Sequence, residues 1–210
     1  MATPIRLYLD FASPYAWFAL DGIEKLARDH SREIEWWPVL IWAVLKAHGI
    51  AAPMNVPIKR DYLVADMVRS AAFHGVPYLH PTKLPLSAHV ASRVYYAIAE
   101  HDVPKAKAFG RDAFAAFFTR DEDISDEAVV KRIAGLHGLE AIEVREAMNG
   151  PLGRARLASA VDAAIADKVC GSPYFIVDGE PFFGADRLPQ IAWRLDQAPA
   201  LAASGEKRLG

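Results

Sequence analysis

The chain has 210 residues, 52% hydrophobic and 24% charged, with a formal net charge of −2. That balance describes a folded globule, one good-sized domain or a small domain with a large insertion, and not a disordered chain. It offers no basic excess to neutralise phosphates, which argues against nucleic acid as a partner, and its single cysteine, Cys170, excludes an internal disulfide framework and a thiolate-rich zinc centre.

The opening "MATPIRLYLDF" has no basic stretch followed by a long apolar run, so no secretory leader is expected. No apolar run of about 18 residues predicts a membrane span. A cytoplasmic protein without membrane contact is the expectation. Residues 5–10 read as a buried strand and 14–30 as a helix, because Ala16, Ala19, Leu20, Ile23, Leu26 and Ala27 recur with the period of one helix face. "EIEWWPVL" (33–40) reads as a second strand, and strand, helix and strand in succession suggest a parallel pair. From about Pro57 to Lys168 helical patterns dominate, with breaks near 74–85, 101–104, 120–125, 137–139 and 149–153. "YFIVDGEPFFG" (174–184) reads as a hairpin turning at Asp178-Gly179, with Pro181 marking its second arm as a sheet edge. A last helix is expected over about 187–197, followed by a frayed tail.

The order β-α-β, helices, β-β-α is that of an α/β, thioredoxin-like fold with a large all-helical domain inserted in its middle. The expected division is 1–55 and 169–210 for the thioredoxin-like part and 56–168 for the inserted helical domain.

Four stretches could carry chemistry. Ser13-Pro14 is a favoured way to start a helix. The same corner offers free N–H groups and a positive dipole end to an anion, and a serine hydroxyl there can stabilise a bound thiolate. "GSPYF" (171–175) invites a cis Ser172–Pro173 bond, which would turn the Ser172 backbone outward for pairing with an extended peptide; a plain loop proline is the other reading. Asp186 in "FFGADRL" is either an N-cap or the holder of a ligand's ammonium group. Lys59, Tyr62, Asp66 and Arg69 share one helix face, either a solvated salt-bridged stripe or a face turned to a cleft. Cys170 is read as a buried, inert thiol, the commoner case, and no histidine spacing suggests a metal site.

Together "YLDFASPYAWFAL", "PIKRDYLVADMVR" and "GSPYFIVDGEPFFGADRL" resemble the 2-hydroxychromene-2-carboxylate isomerase family over about residues 5–196. This is a glutathione-dependent group close to kappa-class glutathione transferases and, more distantly, to periplasmic disulfide oxidoreductases. The resemblance implies that glutathione is the cofactor and that Ser13 holds its thiolate. It implies that Ser172 and Pro173 pair with the cysteinyl unit and that Phe183, Gly184, Ala185 and Asp186 receive the γ-glutamyl end. Ser13 and Ala16 stand where the disulfide enzymes keep their two cysteines, so dithiol redox chemistry is not expected. Lys46 and Asn55 correspond approximately to substrate-binding positions, and Lys59 and Tyr62 join them as candidates for a small aromatic acid. Ile50 and Leu84 depart from the family's usual asparagine and tyrosine. The implied reaction is a glutathione-dependent isomerisation. A transferase or peroxidase that consumes glutathione, and a noncatalytic thioredoxin-like binding protein, are the alternatives, and a homodimer stays open.

Overall fold

Strand β1 (Ile5–Leu9) is buried at four of its five positions, because the sheet is covered on both faces. The computed structural model describes residues 3–205. Parallel to β1 lies β2 (Ile34–Pro38), with Ile5 opposite Ile34 and Leu9 opposite Pro38. On the other side β3 (Tyr174–Val177) runs antiparallel to β1, and β4 (Glu180–Phe183) antiparallel to β3. The sheet order is β2-β1-β3-β4, which puts Pro181 on an edge strand as expected. Asp178 and Gly179 have φ of 51° and 83°, the double positive turn whose twist matches a tight hairpin.

Helix α1 (Pro14–Asp29) buries Ala16, Ala19, Leu20, Ile23 and Ala27, the face that the periodicity predicts. Helix α2 (Ile41–Ala47) follows β2 directly and was not expected. Six helices then separate the two halves of the sheet: α3 (Pro57–His74), α4 (His89–Ala99), α5 (Val103–Arg120), α6 (Glu127–Leu136), α7 (Ala141–Asn149) and α8 (Pro151–Ala166). They share the sheet's core: Leu7 and Phe175 belong to one apolar cluster with Phe109, Phe114 and Val130. Polar latches reach β2 as well. The Tyr96 hydroxyl donates to the Pro38 carbonyl at 2.8 Å and the Lys107 ammonium to the Ile34 carbonyl at 2.6 Å.

The last helix, α9 (Leu188–Gly205), runs past the expected 187–197. The alanines and leucine around Pro199 are strong helix formers, and their propensity outlasts the proline; residues 206–210 of the expected frayed tail lie outside the described residues. Among the described residues no helix is long and apolar enough to cross a membrane.

Candidate active site

Ser13 ends the loop from β1 and caps α1. Its hydroxyl accepts the Ala16 N–H at 3.3 Å and donates to the Ser172 carbonyl at 2.8 Å. The cap is therefore present, and the same oxygen that starts the helix faces the other side of the cleft. The Ser172–Pro173 bond is cis, as the sequence suggests, and the Ser172 hydroxyl in turn accepts the Asp10 N–H at 2.9 Å. Pro14 has no N–H and the Ala16 and Trp17 N–H groups are bonded to Ser13, so the dipole of the 16-residue helix, more than a set of free donors, favours an anion at this corner. Ser13 is 9% exposed, and Cys170, Ser172 and Phe183 border the same cavity of about 540 Å³.

Asp10 is the residue the sequence reading missed. It is 2% exposed, and its carboxylate accepts the Ala12 N–H at 2.9 Å and the Ile41 N–H at 2.8 Å. Burial pushes its pKa up to about 6 despite these two bonds, because no cation stands against it. The signal available was a lone acid closing the apolar run "IRLYLD".

The outer residues divide. The Gly184 N–H donates to the Pro173 carbonyl at 3.0 Å, tying the "FFGADR" loop to the cis-proline loop. Gly184 has φ of 110°, a conformation that favours glycine, and the Asp186 carboxylate lies over the space its missing Cβ would occupy. The Phe183 ring covers Gly171 in the same way. Ala185 is buried, whereas Asp186 is exposed, pairs with Arg187 at 3.0 Å and, among the described residues, accepts no backbone N–H. It is thus not an N-cap, and it lies in a short 3-10 turn (Ala185–Arg187) ahead of α9.

Asn55 lines the cavity, but Lys46, Lys59 and Tyr62 do not. All three are exposed, Tyr62 at 63%, so the structure does not gather them with Ser13. The α3 stripe is mainly the solvated, salt-bridged face, with one exception. Asp66 accepts the Tyr15 hydroxyl at 2.7 Å, linking α3 to the first turn of α1. Burial alone would raise the Asp66 pKa, but hydrogen bonds from Tyr15, Arg69 and Ser70 outweigh it and hold the carboxyl below its usual range. The expectation of a buried Cys170 is corrected: the thiol is exposed, because it sits on the loop that enters the cis-proline turn. Also unforeseen is the remaining wall, made by Trp42 of α2, Met54, Leu63 and Met67 around α3, and Leu84 to Ser87 with a second cis bond at Leu84–Pro85. Among the described residues no three His, Cys, Asp or Glu side chains gather as metal ligands.

Similarity to known proteins runs the length of this architecture. The chain is 29% identical over 190 residues to a 2-hydroxychromene-2-carboxylate isomerase of Sphingobium xenophagum, covering 90% of this chain and 95% of that one. It is 25% identical over 201 residues to glutathione S-transferase kappa 2 of Caenorhabditis elegans, covering 90% and 89%. A solved 2-hydroxychromene-2-carboxylate isomerase superposes with a TM-score of 0.79 at 24% identity, over 99% of this chain and all of that one, which supports the thioredoxin-like fold. The family model described as DSBA-like thioredoxin domain matches residues 4–196, and the chain belongs to that family.

Proposed function

We propose that this chain is a glutathione-dependent isomerase acting on 2-hydroxychromene-2-carboxylate or a related aromatic-degradation intermediate. The observation that carries the reading is the Ser13 hydroxyl at the start of α1, bonded to the Ser172 carbonyl beside an open cavity, in a chain whose one cysteine, Cys170, borders that cavity from the cis-proline loop and not from the helix start. The relatives named as isomerases and kappa transferases support it.

The residues present fit a cysteinyl peptide. The cavity is within the roughly 300–1,000 Å³ of small-ligand sites. When bound, glutathione supplies a thiolate that adds to a conjugated acceptor and leaves again, letting a former double bond turn. Ser13 has one proton to donate. In this structure it goes to the Ser172 carbonyl; turned toward sulfur, it stabilises the anion and frees that carbonyl to accept a peptide N–H. The helix dipole acts in the same direction. Trp42, Leu63 and Met67 give the cavity an apolar wall against which an acceptor's ring can rest.

One observation favours a second reading, a kappa-like transferase. Among the described residues that line the cavity, Asp10 is the only charged one, and the wall opposite Ser13 is apolar. Such a lining suits a neutral electrophile better than a carboxylate. The test is to follow glutathione through turnover with a conjugated aromatic keto acid. Isomerase chemistry leaves its concentration unchanged, whereas transfer consumes one glutathione per product. Failure of glutathione to bind at all, by calorimetry, returns the chain to the noncatalytic reading.

Asp186 gives a graded expectation. An ammonium group held there competes with Arg187 and with water, so its contribution is discounted for exposure. Asp186→Asn is expected to weaken glutathione binding about 3- to 10-fold, less than a buried charge-assisted bond would give, with KM rising and kcat unchanged. Equal affinities in a calorimetric titration leave the γ-glutamyl end without Asp186.

A further inference from the structure

We propose that Asp10 is the positioning residue of this site: a buried carboxylate on the β1 side that fixes the first turn of α2 against the Ser13 corner. The inference rests on the reading that the cavity binds glutathione. Three walls of the cavity meet at this residue. One carboxylate oxygen takes the N–H of Ala12, the neighbour of Ser13, and the other takes the N–H of Ile41, the first residue of α2. The Asp10 N–H holds the Ser172 hydroxyl, and its carbonyl accepts the Ser13 N–H at 2.8 Å.

Helix α2 needs this help. Leu40 at its N-cap makes no side-chain cap bond, so Asp10 supplies from β1 what a cap residue ordinarily supplies locally. The helix carries Ile41, Trp42 and Leu45 to the cavity, and its first turn therefore sets how far that wall stands from Ser13. An ionised carboxylate offers acceptors on both oxygens and no donor. An amide or a protonated carboxyl turns a donor toward one of the two N–H groups and releases one strap. No neighbouring charge substitutes. Arg6 and Tyr8 of β1, Tyr15 and the charged groups of α1, Lys46 of α2, Cys170 in the loop before β3 and Tyr174 of β3 are titratable groups on the segments around it, and none acts on Asp10, whose carboxyl feels only burial and the Ala12 and Ile41 N–H groups.

The test measures calorimetric binding of S-methylglutathione, which has no titrating thiol, between about pH 5 and about pH 8. Wild type, Asp10→Asn and Asp10→Ala are compared, with glutathione itself titrated at the upper end. Wild-type affinity is expected to fall as pH drops through about 6, where the carboxyl gains its proton. Asp10→Asn should bind about tenfold more weakly above that point, the loss of one strap, and show no acid limb. Circular dichroism reports folding, and the near-isosteric asparagine carries the test if the alanine variant does not fold. A wild type that binds neither ligand overturns the functional reading itself. Wild-type binding that Asp10→Asn matches in affinity overturns the role given to Asp10, and so does an acid limb that survives in the variant.

Discussion

Ser13→Ala is expected to raise the pKa of bound glutathione's thiol by about one to two and to slow turnover roughly 10- to 100-fold. The effect follows from one hydrogen bond to a charged sulfur, on the order of 1.5–3 kcal/mol, at 1.36 kcal/mol (about) for each tenfold step. The thiolate absorbs in the ultraviolet near 240 nm (roughly), so a pH titration of the complex reads the pKa directly, against a free-thiol value of about 8.5. Ser13 also caps α1, and alanine costs the helix about 0.5–2 kcal/mol. That loss is separable. Glycine is tolerated at an N-cap at a cost of only a few tenths (about) of a kcal/mol but has no hydroxyl, so Ser13→Gly should keep most of the stability and lose the same thiolate stabilisation. The Ala16 N–H reaches the hydroxyl only at 3.3 Å, a long bond, which further limits what the cap contributes. Wild-type thiol pKa and turnover in both variants would falsify the catalytic role and leave Ser13 a cap alone.

The parts of this site that the sequence displays are those built from neighbouring residues. Ser13-Pro14 starts a helix because serine and proline do so locally, and Asp178-Gly179 turns a hairpin because both residues accept positive φ. Ser172-Pro173 is legible for the same reason. What stayed hidden depends on distant partners. Asp10 is buried by contacts with Ile41 and Ser172, 31 and 162 positions away, and nothing near it in the chain announces them. Helix α2 has only seven residues, in an apolar run that continues out of β2, too short for a helical period to separate from a strand. Lys46, Lys59 and Tyr62 have the right residue types for an acid's pocket. Spacing told which helix face the last two share, but not which way that face turns once α3 packs through Met67 and Ala71.

The same physics makes Asp10 costly to the fold. Its carboxyl has an ordinary value of 3.8 and titrates at about 6 in the folded protein, because burial disfavours the charge. Between those two values the folded protein holds a proton that the unfolded chain has released, so the contribution of this group to stability falls as pH rises through the window. The fall is complete above about pH 6 and amounts to about 3 kcal/mol. Asp10→Asn removes the charge and keeps the shape, at the cost of one orphaned N–H, roughly 1–3 kcal/mol. The protonated wild type carries the same orphan, so urea unfolding at a series of pH values should show the two proteins about equally stable near pH 4 (about), with the wild type falling behind the variant by about 3 kcal/mol by neutral pH. Such a divergence sets stability against function at a single residue: the ionised form that holds both walls of the cavity is the form that weakens the fold. A stability difference between the two proteins that stays constant across this range removes the buried charge as its cause.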